Sequence, residues 1–154
     1  KIAEALAQML NRVGIEASVE TMPKAVYFKR ASRGGPNKSP EFSFMLLGWG
    51  AGSGEASSPL KALLHTYDKS KGLGAANRGR HSDAEVDKLV KQALATVDAD
   101  ARGALLAKAT EKAVGENYGV IPMHYQVNTW AAKAGYKYLP RTDERTIVTG
   151  LSNN

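Results

Sequence analysis

Ile2, Leu6, Met9, Leu10 and Val13 recur at the spacing of one helix face, and Gly14 follows where a left-handed residue ends such a helix. The period then changes. Across residues 15–21, Ile15, Ala17 and Val19 alternate with Glu16, Ser18 and Glu20, which predicts a half-buried strand. Pro23 opens a second helix bearing Val26, Tyr27 and Phe28, and the Gly, Pro, Ser and Asn residues of 32–40 predict a surface loop. The apolar run 42–47 ends in Gly48 and reads as a buried strand entering a glycine-rich turn.

Further along, Ser57 or Ser58 caps a short helix with Pro59 in its first turn and Leu60, Leu63 and Leu64 inward. A polar loop over 67–80 follows. Ser82 and Glu85 form a capping box for a helix with Val86, Leu89, Val90, Ala93 and Leu94 on its apolar side, and Asp98 caps the next, with Leu105, Leu106 and Ala109 inward. Residues 120–123 and 127–132 are strand-like, while 135–154 shows little period and reads as a segment that packs elsewhere. Helices interleaved with short apolar strands predict an α/β domain: a layered mixed sheet flanked by helices.

The chain has 154 residues, 43% hydrophobic and 23% charged, the composition of about one globular domain. No apolar run approaches the roughly 18–20 residues of a membrane span. Cysteine is absent, which excludes disulfides, thiolate catalysis and cysteine-bound zinc. Lys+Arg 21 against Asp+Glu 15 leaves +6, but the basic residues are scattered over separate segments and form no basic helix, so no nucleic-acid partner is expected. Lys1 already lies inside a helical pattern, with neither initiator Met nor signal segment ahead of it; a piece of a longer chain is expected.

The segment Gly48-Trp49-Gly50-Ala51-Gly52-Ser53-Gly54 sits between a strand and a helix start, where open α/β sheets bind ligands. It lacks the Lys-Ser/Thr of a P-loop and the G-x-G-x-x-G spacing. Ser53 is not in a nucleophile elbow, since Ala51 and Glu55 stand where glycines are needed. His65, His81 and His124 match no metal-binding spacing, so neither a metal nor a cofactor is expected. Trp49 between glycines can stack on a ligand, and Arg78 and Arg80, in Asn77-Arg78-Gly79-Arg80, can clamp a carboxylate.

The order of ALAQMLNRVGIEASV at 5–19, MLLGWG at 45–50, HSDAEVDKLVKQAL at 81–94, VDADARGALLAKATEKA at 97–113 and VIPMHYQ at 120–126 resembles the C-terminal part of the peptide/nickel-type extracytoplasmic solute-binding proteins, family 5. The resemblance implies one lobe of a type II periplasmic-binding fold. On that reading residues 1–134 are a substrate-binding lobe lacking its first strand, and 135–154 return toward the other lobe. It also implies a non-enzymatic component of an ABC importer, periplasmic or otherwise extracytoplasmic, that captures a peptide or peptide-like solute and delivers it to a permease. The exposed edge left by the absent strand implies a possible dimer of the fragment. The competing reading is a nucleotide- or phosphate-binding α/β domain of an enzyme.

By the same resemblance Trp49 takes the cleft tryptophan position, and Leu47, Gly48 and Gly50 offer backbone hydrogen bonds. Peptide-binding members carry an Asp three residues after this Trp to pair with the peptide amine. Gly52 stands there instead, and Glu55 follows it. An amine anchor is therefore missing at that position.

Overall fold

The computed structural model describes residues 1–141 and 143–153. In chain order the elements are α1 (Ile2–Arg12), α2 (Lys24–Arg33), α3 (Ser57–Pro59), α4 (Ala84–Ala95), α5 (Ala99–Thr110), β1 (Tyr136–Tyr138) and β2 (Leu151–Asn153). α3 runs on as a π-helical turn over Leu60–Leu64, and α5 as a π-helical stretch over Glu111–Glu116.

The layered α/β expectation is overturned. Helix takes 43% of the residues and strand 5%, and the described residues hold one two-stranded antiparallel sheet, so the fold is mainly helical and not a mixed-sheet lobe. Residues 15–21, 42–47, 120–123 and 127–132 are neither helix nor strand. Alternation gives a segment a face, but a strand needs a neighbour for its backbone groups. In two places helix side chains take those groups. Asn11 of α1 donates from Nδ2 to the Ala17 carbonyl at 2.8 Å and accepts from the Ala17 N–H at 3.2 Å. The Tyr27 hydroxyl on α2 donates to the Leu46 carbonyl at 2.8 Å.

The sheet forms where the sequence showed little period. β1 and β2 pair Tyr136 with Asn153, Lys137 with Ser152 and Tyr138 with Leu151. The Trp130 indole N–H donates to Thr146 Oγ1 at 3.0 Å and ties this hairpin to the preceding segment.

The core lies in the helices. Val86, Val90 and Ala93 of α4 are fully buried with Leu60, Leu64, Leu106, Ala109 and Ala113. Alanines on α5 and its extension leave room for the valines, and a buried Val or Leu contributes about 1.5–3 kcal/mol. Outside this cluster the chain is open: α1 buries no residue, and Ile15, Phe44, Ile121 and Val127 are exposed. The chain exposes 11478 Å², whereas a compact monomer of 16.5 kDa exposes about 7,500 Å².

Capping corrects one further expectation. Asp83, not Ser82, caps α4: its Oδ1 accepts from the Glu85 and Val86 N–H groups at 2.8 and 2.9 Å, and its Oδ2 from Asn117 Nδ2 at 2.9 Å. Ser82 Oγ instead lies 2.8 Å from Thr66 Oγ1. Ser57 and Ser58 make no side-chain cap, whereas Asp98 caps α5 as expected, accepting from the Ala101 N–H at 2.8 Å.

The Val86 N–H, and after it the Asn117 amide, hold the Asp83 carboxyl below its ordinary value of 3.8. A carboxyl depressed by folding stabilises the fold above its unfolded pKa, and that contribution is lost as pH falls through the folded value. Asp83→Ala is expected to lower stability by about 1 kcal/mol at neutral pH. Ser82→Ala is expected to be near neutral. Urea unfolding of both variants, repeated below pH 3.8, should show the Asp83→Ala deficit shrinking in acid.

Candidate functional site

The turn after residue 47 is built on α2. Tyr27 stacks on Phe42 with ring centroids 5.5 Å apart and meets Phe28 edge-on at 5.3 Å, while its hydroxyl holds the Leu46 carbonyl. Arg30, one helical turn on, forms ion pairs with Glu20 and Glu41 and lies 5.1 Å over the Phe42 ring. Segments 15–21 and 41–46 are therefore gathered onto one helix by an aromatic cluster and a guanidinium between two carboxylates. The sequence placed Tyr27 and Phe28 on a helix but did not connect them with the turn. A Tyr-Phe pair facing an apolar run was the available signal.

Beyond this anchor Leu47 is half-buried, and Gly48, Trp49 and Gly50 are exposed, Trp49 at 44%. An indole so placed presents apolar area without filling the core. Gly48 approaches Gln126, whose Oε1 lies 4.0 Å from the position a Cβ would take, so 120–126 passes beside the turn. Gly54 adopts φ +75° and its N–H bonds the Ala51 carbonyl at 2.9 Å, which reverses the chain. A side chain at Gly52 would meet open space.

Glu55 is engaged elsewhere. Arg102 of α5 grips both of its carboxylate oxygens, with Nε 2.8 Å from Oε2, and Ser57 Oγ donates to the same carboxylate. Arg102 first, and Ser57 second, hold the Glu55 carboxyl below its ordinary 4.5. Its negative charge is thus spent joining the start of α3 to α5. Nothing in the sequence linked Glu55 to a cation 47 residues away.

The structure separates Arg78 from Arg80. Arg78 lies 5.1 Å over the Phe28 ring and donates from Nε to Ser32 Oγ at 3.2 Å, so it joins the α2 cluster. Arg80, at φ +55°, lies 4.2 Å over the Tyr67 ring on another part of the loop. Buried Asn77 braces the loop between them: its Nδ2 donates to the His65 and His81 carbonyls at 3.0 and 2.7 Å, and its Oδ1 accepts from the His81 N–H at 3.0 Å. Gly74 permits this packing, since at φ +61° a Cβ would lie 2.4 Å from the His65 carbonyl oxygen.

The histidine rings serve the same loop. His65 Nδ1 is 2.8 Å from the Thr66 carbonyl and 3.3 Å from Asp87 Oδ1, and His81 Nδ1 is 2.7 Å from the Leu64 carbonyl. Among the described residues no group of His, Cys, Asp and Glu is arranged to hold a metal ion, and no helix is long and apolar enough to cross a membrane.

Because the Glu55 carboxyl is depressed, its stabilisation is present above pH 4.5 and fades as pH falls through its folded value. Glu55→Gln is expected to lower Tm by about 2–4 °C at pH 7, and Arg102→Gln by a similar amount. The double variant should lose less than the sum, in thermal melts at pH 7, and the coupling should vanish in acid. No family model, curated protein or solved structure matches this chain.

Proposed function

We propose that this chain is the ligand-contacting part of a substrate-binding component of an ABC importer, which captures a peptide or peptide-like solute outside the cytoplasm and delivers it to a membrane permease. Its task is binding and not catalysis. The layered sheet implied by the sequence resemblance is no part of this reading, which rests on the resemblance of the segments themselves and on the Trp49 turn.

The observation that carries it is Trp49, 44% exposed on a glycine-flanked turn whose base is fixed by the Tyr27–Leu46 bond and the α2 aromatic cluster. A rigid base with an exposed indole offers stacking area at little entropic cost, and the adjacent glycine backbone can hydrogen-bond an extended amide chain. The competing nucleotide reading has less support. The glycine turn has neither the Lys-Ser/Thr of a P-loop nor the G-x-G-x-x-G spacing of a dinucleotide site.

With Trp130→Phe, Trp49 is the remaining tryptophan of the two. N-Acetyl-dialanine amide is expected to change its fluorescence saturably at about millimolar concentration. Trp49→Ala, followed by amide NMR shifts, should weaken binding about tenfold, in line with the loss of a stacking contact. An unresponsive Trp49 contradicts the proposal, and a rise in Tm with ATP would replace it with the nucleotide reading.

A further inference from the structure

The hairpin carries an aromatic cup. Trp130, Lys133, Tyr136, Tyr138, Thr146 and Leu151 lie around one cavity of about 300 Å³, at the lower end of the roughly 300–1,000 Å³ that holds small molecules. Strand geometry sets its floor. Tyr136 and Tyr138 are two residues apart on β1 and so share a face, and Leu151 is the cross-strand partner of Tyr138 on that face. The Trp130 and Tyr138 rings stand as adjoining walls, with centroids 5.8 Å apart and planes at 34°.

The polar atoms of these walls are already used within the protein. The Trp130 indole N–H donates to Thr146 Oγ1 at 3.0 Å, and the Tyr138 hydroxyl donates to the Arg145 carbonyl at 3.2 Å and accepts from the Ile147 N–H at 3.0 Å. Gly150 packs so closely on Tyr138 that a Cβ there would lie 2.9 Å from Cε2. What the two rings offer a ligand is therefore flat apolar area, held in place before anything binds. Tyr136 adds a third ring and stays 46% exposed, so part of this area is accessible.

The rim selects the sign of the ligand. Lys133 is the charged residue that lines the cavity, and it has no carboxylate partner among the described residues. A turn fixes its backbone: the Tyr136 N–H bonds the Lys133 carbonyl at 3.1 Å across Gly135 at φ +93°. Over 130–151 the basic residues are Lys133, Lys137, Arg141 and Arg145 and the acidic ones Asp143 and Glu144, and Arg141 holds Asp143 with Nε 2.8 Å from Oδ1. Neither acid lines the cavity. Aromatic cups often take cations, but the Lys133 ammonium repels a cation from this one and attracts an anion.

We infer that this cup binds a small planar aromatic anion, an aryl carboxylate, with its ring against Trp130 and the two tyrosines and its carboxylate at Lys133 Nζ. The site shares no residue with the Trp49 turn and stands or falls independently of the solute-binding reading.

Benzoate, benzamide and benzylammonium present one ring with negative, no and positive charge. On the Trp49→Phe chain the remaining indole N–H signal in an amide NMR spectrum belongs to Trp130 and reports on the cup. Benzoate is expected to shift it saturably at about millimolar concentration, roughly threefold to fivefold more tightly than benzamide, the increment of one exposed charge pair. Benzylammonium should bind most weakly. Lys133→Gln should bring benzoate to the level of benzamide and leave benzamide unchanged, which a misfolded hairpin could not do. Tyr136→Ala should weaken both alike. A Trp130 signal that ignores benzoate, equal or tighter binding of benzamide or benzylammonium, an acid preference that survives Lys133→Gln, or a Tyr136→Ala that binds as before overturns the assignment.

Discussion

Ala93, Ala109 and Ala113, all fully buried, let α4 approach α5 closely enough to enclose Val86 and Val90. Leu60 and Leu64 close the seam from the π-helical turn after α3. Each other ordered feature of this region hangs from that contact. The Glu55–Arg102 pair joins the start of α3 to α5, Asp87 of α4 accepts from the Thr66 N–H at 2.8 Å, and Asn117 beyond α5 returns to the Asp83 cap. The loop 65–81 is then clamped by Asn77 to carbonyls at both of its ends. Enlarging one of these alanines would push the helices apart and loosen the polar contacts together.

The remainder of the chain is organised by side chains reaching over a helix. α1 is amphipathic yet buries none of its residues, and α2 holds its neighbours through Arg30 and Tyr27, which pack on Phe42. About 4,000 Å² separates the exposed area from that of a compact monomer of this mass, and much of the exposed apolar surface lies on the extended segments. That is the scale of surface covered in large protein–protein interfaces.

Local signals in the sequence read well. The spacing of Ile2, Leu6 and Leu10, Pro23 ahead of α2, and Asp98 before α5 each state a helix and its start, because the reporting interactions lie within a few residues. Strands were misread because alternation does not report a partner: Ile15, Ala17 and Val19 do alternate, yet no backbone among the described residues completes a ladder with them. β1 and β2 were missed for the converse reason, since three-residue strands are too short to show a period. The Ser82–Glu85 pattern matched a capping box, but Asp83 reaches the Glu85 and Val86 N–H groups first. At the site, exposed Trp49 and the glycines around it were legible from composition. The pairing of Glu55 with Arg102 and the splitting of Arg78 from Arg80 depend on tertiary placement, which no spacing encodes.

The molecule divides into a helical unit with a dry core and extended segments that form no ladder among the described residues. Residue-resolved amide hydrogen exchange tests that division most directly. Protection is expected in α4, α5 and the Leu60–Leu64 turn, where Val86 and Val90 are 0% exposed. Residues 15–21, 42–47 and 120–132 should exchange with little protection, apart from the Ile15 amide held by the Leu10 carbonyl and the Ala17 amide held by Asn11. Strong protection alternating along 15–21 and 42–47, as in a paired sheet, would contradict the account.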